Sequence, residues 1–387
     1  MRILHVIPFF SPKMGGSAQV VYQAALHLSK RGHKVTVIAS DFGTQSARFP
    51  NGPFQVELFP NLFAGAGFYF SPQMFFWLSK HIADFDILHL HEVRTFQNIA
   101  ARYFAVKNKI PYVLSAHGTL PIIIERHMAK RVFDRLFGTR ILADAKMLVA
   151  VSPVEVKQYL QVGIPENRVT MIHNGLDLGE FVDLPPRGAL RRIFPGLDGK
   201  TKLILFLGRI HQIKGINYLI EAFSRLRKDR VDAFLVIAGP DEGELDNLQA
   251  LTNRLGLQEW VQFVGPLYGR DKLAAYVDAD VLVSSAVYEI FGLVQFEALL
   301  CGTPVIVGDN CGTGQLFSDS GVCYLFRNSD IEHLADTIGY VLTHPDEATQ
   351  KVLSGRAYIK QKLNWEQIAV EYEELYDECC NPGRRPR

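Results

Sequence analysis

Two cations stand at a spacing that suits anion binding. Arg209 and Lys214 lie in GRIHQIKG, residues 208–215, which follows the apolar run LILFL and precedes the helical run INYLIEAFSRLRK. A helix that begins just after a strand offers backbone N–H groups and a dipole that favour an anion. Gly208 and Gly215 bracket the segment. It predicts a diphosphate site, and the alternative is a solvated loop with two surface cations.

Two carboxylates lie eight positions apart in a second segment after a strand. Glu289 and Glu297 belong to YEIFGLVQFEALLCGTP, residues 288–304, and Glu297 falls on the predicted helix. Three residues between them are expected to open this helix with free N–H groups: Phe291, Gly292 and Leu293. A helical rise separates the carboxylates by up to roughly 12 Å. Because carboxylates accept hydrogen bonds from vicinal hydroxyls, they suit the two polyol ends of one ligand. The alternative is a Glu289 that only faces the helix dipole and a solvated Glu297.

Both segments match one family, and so do residues elsewhere in the chain. The chain resembles the family-4 retaining glycosyltransferases of the GT-B fold, also called group 1 glycosyltransferases. The matching residues are Gly208, Arg209, Lys214, Gly215, Glu289, Phe291, Gly292 and Glu297, with Gly15, Gly16, His117, Gly118 and HNGLD at 173–177. The resemblance covers almost the whole chain. It includes a terminal helix near Trp365, which in that family packs back on the first domain.

The resemblance implies an enzyme that moves a hexose-type sugar from a nucleotide-diphosphate sugar to an acceptor hydroxyl and keeps the anomeric configuration. In that family Arg209 and Lys214 would stabilise the leaving diphosphate, and Glu297 would hold the donor ribose. Glu289 and His117 would contact the donor sugar, and the Gly16 amide, next to Gly15, would approach the phosphate. The backbone amides around Phe291, Gly292 and Leu293 would support the sugar and the phosphate. Gly208 would also belong to the donor-binding residues. No metal or cofactor is expected. The acceptor would be a saccharide or a lipid-linked saccharide, as in the synthesis of cell-surface polysaccharide, lipopolysaccharide or glycolipid.

The chain departs from the family pattern at two places. Many members have proline or another small apolar residue where Gln295 stands. They also have a Gly-Gly-x-x-Glu stretch where this chain has CGTGQLF at 311–317, with Gln315 in place of the acid.

Short apolar strands alternate with helical patterns in both halves of the chain, which predicts an α/β fold. We expect a GT-B architecture, in which two Rossmann-like domains with doubly wound parallel sheets face a central cleft. Residues 1–180 would form the acceptor-side domain, completed by a helix at about 364–380, and residues 202–363 the donor-binding domain. Residues 181–201, rich in proline and glycine, would link them. Ligands of such sheets bind at the carboxyl ends of the strands.

Composition narrows the class of protein. The 387 residues carry 41 basic and 40 acidic side chains, so no net field recruits nucleic acid. The five cysteines form no C-x-x-C pair, which favours a reducing compartment. The N-terminal MRILHVIPFF lacks a cleavage site, and no run is long enough to span a membrane. A cytoplasmic location is expected.

Peripheral contact with the inner face of a membrane stays open for the N-terminal domain. The segment 122–142 carries five cations among apolar residues: Arg126, Lys130, Arg131, Arg135 and Arg140. This pattern suits a core-facing helix or a helix on an anionic bilayer. The aromatic stretch within 62–78 is likewise either core or an apolar floor for an acceptor.

Three patterns imitate metal or phosphate sites. Asp278-Ala279-Asp280 and Asp84-Phe85-Asp86 resemble a chelating D-x-D, but each precedes a strand, at the wrong end of the sheet. HLHE at 89–92 offers two histidines without further evident ligands, so a role at the strand end is favoured. GLDGKT at 196–201 lacks the first glycine of a P-loop.

Two rival functions remain open. A nucleotide-sugar epimerase on the same fold would form product without an acceptor, but the sequence offers no additional pair of acid and base. A non-catalytic two-lobed binding protein would bind sugar without turnover, and it would be expected outside the cytoplasm.

Overall fold

The computed structural model describes residues 1–45, 47–65, 68–123, 127–194, 201–318 and 321–381. The strands are β1 Arg2–Phe9, β2 Lys34–Ser40, β3 Gln55–Phe59, β4 Phe63–Gly65, β5 Phe68–Phe70, β6 Ile87–His91, β7 Tyr112–Ser115, β8 Met147–Ala150, β9 Val169–Met171, β10 Lys202–Leu207, β11 Ala233–Ala238, β12 Val261–Gly265, β13 Val281–Ser284, β14 Val305–Gly308 and β15 Tyr324–Phe326.

The α-helices follow in the same order along the chain. They are α1 Gly16–Lys30, α2 Pro72–His81, α3 Phe96–Asn108, α4 His127–Phe133, α5 Thr139–Asp144, α6 Pro153–Gln161, α7 Ala189–Ile193, α8 Ile216–Lys228, α9 Leu245–Arg254, α10 Gly269–Asp278, α11 Leu293–Cys301, α12 Gly312–Phe317, α13 Ile331–Thr343, α14 Pro345–Lys362 and α15 Trp365–Cys380. A π-helical turn, Asp134–Gly138, joins α4 to α5.

The chain divides into two compact units. The first comprises Met1–Gly175 together with Leu363–Arg387, and the second comprises Leu176–Lys362. Residues 181–194 of the predicted linker lie in the second unit, where α7 packs against α10. Residues 195–200, which include Pro195 and most of GLDGKT, lie outside the described residues, as do Arg126 and the tail after 381.

The first unit is built on a parallel sheet in the order β3-β2-β1-β6-β7-β8-β9. Its central strands, such as β1, β6 and β7, are buried on both faces because helices cover both, whereas the edge strand β3 is mostly exposed. Ile3 and Ile7 pack beneath α1 and α15, whereas Leu4 and Val6 belong to the core on the other face. Trp365 of α15 stacks on His27 of α1, so the last helix completes the core of this unit.

The second unit repeats the plan with a parallel sheet in the order β12-β11-β10-β13-β14-β15. In both sheets the chain first builds outward from a central strand and then returns to its other side, at β1/β6 and at β10/β13. The loops that leave these neighbouring strands diverge there, and open α/β sheets bind ligands at such points. The two parallel α/β units predicted from the sequence are confirmed.

No helix among the described residues is long and apolar enough to cross a membrane. All five cysteines are thiols. In the aromatic stretch, Met74 and Leu78 are buried, whereas Phe76 is 66% exposed, so it is partly core and partly surface.

Both D-x-D triplets have structural partners. Asp278 is buried at the end of α10, and its carboxylate accepts the N–H groups of Gly188, Leu190 and Arg191 at the start of α7. Asp280 accepts the Leu203 N–H at 2.8 Å and pairs with three cations: Arg187, Arg191 and Lys202.

The other triplet plays a similar part in the first unit. Asp86 accepts the Arg2 N–H at 2.7 Å and also pairs with the Arg2 side chain. Asp84 faces His81 at 3.5 Å.

We predict that Asp278→Ala lowers the free energy of unfolding by about 3 kcal/mol, because it leaves three N–H groups without their acceptor. Urea denaturation followed by circular dichroism measures the loss. The exposed Asp229→Ala is the control and should change stability little. Wild-type stability in Asp278→Ala, or its rescue by Mg²⁺, would contradict the structural role.

Candidate functional site

The two predicted loops of the second unit leave neighbouring strands. Residues 208–215 follow β10, and residues 285–292 follow β13, which pairs directly with β10. Because both strands run the same way, their loops emerge at the same edge of the sheet. The two segments are thereby adjacent in space.

A close backbone approach joins these loops at Gly215. Gly215 has φ +58°, and a Cβ there would lie 2.3 Å from the carbonyl oxygen of Ser285. The Val287 N–H donates to the Ile213 carbonyl at 2.9 Å, and the Ser285 hydroxyl donates to the Lys214 carbonyl at 3.1 Å. Only glycine fits this position without moving the neighbouring loop.

This approach brings Lys214 against Glu289. Lys214 Nζ lies 2.5 Å from Glu289 Oε2, and the two side chains are 17% and 18% exposed. Arg209, in contrast, pairs with Glu242 at 2.6 Å and is 53% exposed. The structure therefore joins Lys214 to Glu289 in a sheltered pair, and Arg209 stands at the solvent-exposed side of the same loop.

Glu297 is held by partners that the sequence pattern did not indicate. Its Oε2 accepts the Tyr276 hydroxyl at 2.7 Å and lies 3.0 Å from Lys272 Nζ. The side chain is only 16% exposed, so Glu297 is not a solvated helix residue. Burial and the neighbouring carboxylate raise the pKa of Tyr276 well above its usual value, which keeps its hydroxyl a donor.

The start of α11 differs from the expectation of free N–H groups. Gly292 precedes the helix, and its N–H donates to the Thr313 hydroxyl at 3.3 Å. Thr313 faces Gln295 Oε1 at 3.5 Å, and Gln295 Nε2 donates to the Ser284 hydroxyl at 2.7 Å. The expectation was wrong for Gly292, because side chains from the two departures from the family pattern occupy this helix start.

In the first unit, α1 begins at the predicted glycine pair. Gly15, at φ 123°, precedes the helix, which starts at Gly16. The Ser17 hydroxyl donates to Glu92 Oε1 at 3.1 Å, and Glu92 follows β6, the neighbour of β1. Burial raises the pKa of Glu92 to about 7, and the Ser17 hydrogen bond opposes that rise. A carboxyl that titrates near neutrality therefore lies beside the glycine turn.

His117 occupies a tightly held turn after β7. It has φ 50°, an uncommon conformation for a residue with a side chain. The Ala116 N–H donates to Tyr159 at 3.0 Å, and the Gly118 N–H donates to Glu155 at 2.7 Å. Glu155 is fully buried, and burial raises its pKa to about 7. Residues that the surrounding structure holds in a strained conformation of this kind cluster at functional sites.

The histidines of HLHE are joined by a third. His5 pairs with His89 in the register of β1 and β6, and nitrogens of His5, His89 and His91 lie within 4.8 Å of one another. Most of these nitrogens already take part in hydrogen bonds. Both of His89 bond, to Tyr376 and Ser115, and both of His91 bond to other histidines. His5 and His91 therefore belong to a hydrogen-bonded chain that ends at His117, whereas His89 bonds to other side chains, so the three rings are not arranged as ligands of one ion.

Sequence reasoning overlooked several of these residues. Lys272 and His5 gave no signal, because each is far along the chain from its partner. Glu92 was visible as the last residue of HLHE, and Glu155 as an acid in a helical pattern with apolar neighbours.

We predict that Glu92→Gln reduces the loss of stability between pH 5 and pH 8. The folded protein keeps the Glu92 proton up to about pH 7, whereas the unfolded chain releases it near 4.5, so stability falls as the pH rises through this window. Urea denaturation at both pH values should give a loss about 2 to 3 kcal/mol smaller in the variant.

Glu155 contributes in the same direction, so part of the pH dependence should remain. The exposed Glu57→Gln is the matched control. Equal pH dependence in Glu92→Gln and the wild type would refute a raised pKa at Glu92.

Known proteins match both units. Residues 14–180 match the family described as "Glycosyltransferase Family 4", and residues 191–358 match "Glycosyl transferases group 1". The D-inositol 3-phosphate glycosyltransferase of Mycobacterium sp. (strain KMS) is 26% identical over 366 residues, which cover 88% of this chain and 81% of that protein.

Solved structures share the fold over nearly the whole chain. The sucrose-phosphate synthase of Thermosynechococcus elongatus has a TM-score of 0.76 at 22% identity, covering 98% of this chain and 99% of that one. Anabaena HepE in complex with UDP-glucose has a TM-score of 0.78 at 20% identity, covering 98% and 100%. The fold is GT-B, and the chain belongs to the group 1 glycosyltransferases of family 4.

Proposed function

We propose that the protein transfers a hexose-type sugar from a nucleotide-diphosphate sugar to an acceptor hydroxyl with retention of the anomeric configuration. The Lys214–Glu289 pair carries the proposal. It places a cation and a carboxylate side by side at the strand ends where sheets of this type bind ligands. Such a pair suits the junction between a diphosphate and a sugar.

The cation of the pair would act on the leaving group. As the bond to the anomeric carbon breaks, negative charge grows on the diphosphate, and a sheltered Lys214 stabilises that charge more than the ground state. Arg209 leaves the same loop and adds a second cation, whose planar guanidinium can bind two phosphate oxygens. The N-terminus of α8 adds its dipole.

The carboxylates would orient the two polyol ends of the donor. Glu289, released from Lys214 by the phosphate, accepts hydrogen bonds from sugar hydroxyls. Glu297 accepts from the ribose, and Lys272 and Tyr276 fix its orientation. An ionised carboxylate accepts hydrogen bonds and cannot donate them, so both glutamates favour ligand groups that are rich in hydroxyls.

Retention is proposed through a front-face displacement. The acceptor oxygen bonds to the anomeric carbon on the face from which the phosphate oxygen departs, and the hydroxyl proton passes to that phosphate oxygen. This step uses no enzymic nucleophile and no metal ion. His117 contributes to transfer through its side chain rather than to the binding of the nucleotide.

Relatives support the choice of substrates. The structurally similar Anabaena protein is bound to UDP-glucose, which makes a uridine diphosphate sugar the first donor to test. The mycobacterial relative is named for a glycosylated inositol phosphate. A saccharide or lipid-linked saccharide acceptor, in polysaccharide or glycoconjugate synthesis, is proposed from the family to which the chain belongs.

Incubation with a series of nucleotide sugars and saccharide or lipid-linked acceptors, followed by mass spectrometry, tests the function. A product heavier than the acceptor by one sugar, with the donor's anomeric configuration by NMR, is expected. An isomerised donor formed without acceptor would favour an epimerase. Binding without turnover of any donor would favour a binding protein.

We predict that Lys214→Ala and Arg209→Ala each lower kcat/KM strongly, because removing one contact to developing charge costs about 2 to 4 kcal/mol of transition-state stabilisation. Steady-state kinetics measure the effect. Lys351→Ala and Arg225→Ala are matched controls, since both side chains are cations of the same unit outside these loops. Normal rates in both loop variants would exclude the assignment.

We predict that EDTA leaves transfer largely intact, because two fixed cations and a helix N-terminus can stabilise the leaving group. The rate after extensive dialysis against chelator measures this. Loss of activity that Mg²⁺ or Mn²⁺ restores would show that the reaction needs a metal.

A further inference from the structure

Three histidines of the first unit form a continuous hydrogen-bonded chain. His5 Nδ1 lies 2.9 Å from His91 Nε2, and His91 Nδ1 lies 2.9 Å from His117 Nε2. His5 and His91 are buried, at 0% and 1% exposure, whereas His117 is half-buried. The chain thus runs from the core of the sheet to the turn that follows β7.

All three rings are neutral at physiological pH. Burial lowers the pKa of His5 to about 3 and that of His117 to about 4, and it lowers the pKa of His91 well below its usual value. A neutral imidazole has one N–H donor and one acceptor nitrogen. Each contact in the chain therefore needs one donor and one acceptor.

This requirement leaves only two joint arrangements of protons. If His5 donates from Nδ1, then His91 accepts at Nε2 and donates from Nδ1, and His117 accepts at Nε2. If the direction is reversed, His117 donates from Nε2 and His5 accepts at Nδ1. The tautomer of His117 is therefore tied to that of His5, although no hydrogen bond joins these two rings directly.

The buried end of the chain decides between the arrangements. Among the described residues no polar atom partners His5 Nε2. In the reversed arrangement this nitrogen carries a buried N–H without an acceptor, whereas in the first it is an unprotonated acceptor. Buried N–H groups without a partner are the rarer of the two in proteins. The half-buried end at His117 can meet solvent or ligand in either state.

We propose that His5 and His91 are positioning residues that hold His117 as its Nδ1–H tautomer, so that it offers a ligand oxygen a hydrogen-bond donor. With Nε2 engaged by His91, Nδ1 is the nitrogen left for a ligand. The ligand group is then a hydroxyl or anionic oxygen that accepts. The proposal rests on the proposed function only for the identity of this ligand as a sugar.

The tautomer has a chemical consequence. An Nδ1–H cannot take a proton from the acceptor hydroxyl, so His117 does not act as the general base at this position. This agrees with a displacement in which the departing phosphate oxygen takes that proton. His117 would orient a sugar hydroxyl instead.

Long-range ¹H–¹⁵N spectra of the full chain labelled at histidine test the tautomer without any substrate. Protonated and unprotonated ring nitrogens resonate far apart, and His117→Ala identifies the His117 signals. We expect Nδ1 to be protonated and Nε2 unprotonated at pH 7.5. The opposite assignment in the wild type overturns the proposal, whatever the variants do.

A matched pair at His5 tests the coupling. Asparagine can still donate to His91 Nε2, whereas the isosteric aspartate at pH 8 accepts from it and reverses the chain. His5→Asn should keep the Nδ1–H tautomer of His117, and His5→Asp should convert it to Nε2–H. An unchanged His117 tautomer in a folded His5→Asp protein would overturn the coupling.

Activity then separates this inference from the proposed function. His5→Asp should lower transfer by roughly tenfold or more, since an acceptor nitrogen replaces the donor, while calorimetry shows unchanged binding of UDP. His5→Asn, which keeps the tautomer, should keep the wild-type rate of transfer. A reversed tautomer with unchanged transfer would reject the role of His117 in the reaction, and a complete absence of sugar transfer would reject the proposed function but not the tautomer.

Discussion

The candidate site of the second unit depends on one backbone contact, between Gly215 and the carbonyl of Ser285. Because no side chain separates them, two loops that leave neighbouring strands run within hydrogen-bonding distance. Lys214 and Glu289 are then placed side by side without long or flexible spans. A bulkier residue at position 215 would part the loops and, with them, the cation and the carboxylate. The chemistry of the site thus follows from a packing constraint rather than from charge attraction alone.

The two units handle buried polar groups in different ways. In the second unit, Lys214, Glu289, Lys272 and Glu297 form ion pairs, so each charge has an opposite partner when no phosphate is bound. In the first unit, the polar groups near the strand ends are carboxyls and imidazoles. Burial raises the pKa of the carboxyls and lowers the pKa of the imidazoles, which favours the neutral form of both. Paired charges can exchange partners with an anionic ligand, whereas neutral groups can act through directed hydrogen bonds.

Much of this arrangement could be predicted from the sequence, and the rest could not for physical reasons. The Gly-Arg…Lys-Gly loop and the Glu…Glu segment were visible, because a parallel sheet requires their loops to follow strands. The contact of Lys272 with Glu297 joins two helices, and no local spacing encodes it. The chain from His5 to His91 depends on the register of β1 and β6, which are 86 residues apart at this contact. Arg209 was predicted to accompany Lys214, but its long side chain pairs with Glu242, which lies after the next strand.

The two places where the chain departs from the family pattern, Gln295 and the segment 311–317, contact each other. Gln295 of α11 is fully buried, and its amide needs hydrogen-bond partners. It finds them in Ser284, at the end of β13, and in Thr313 of the altered CGTGQLF segment. Thr313 in turn accepts the N–H of Gly292, and a Cβ on Gly292 would lie 1.6 Å from the amide oxygen of Gln295. The Gln295 amide, the Thr313 hydroxyl and the Gly292 N–H therefore form one hydrogen-bonded group at the start of α11, and a side chain at position 292 would displace the Gln295 amide.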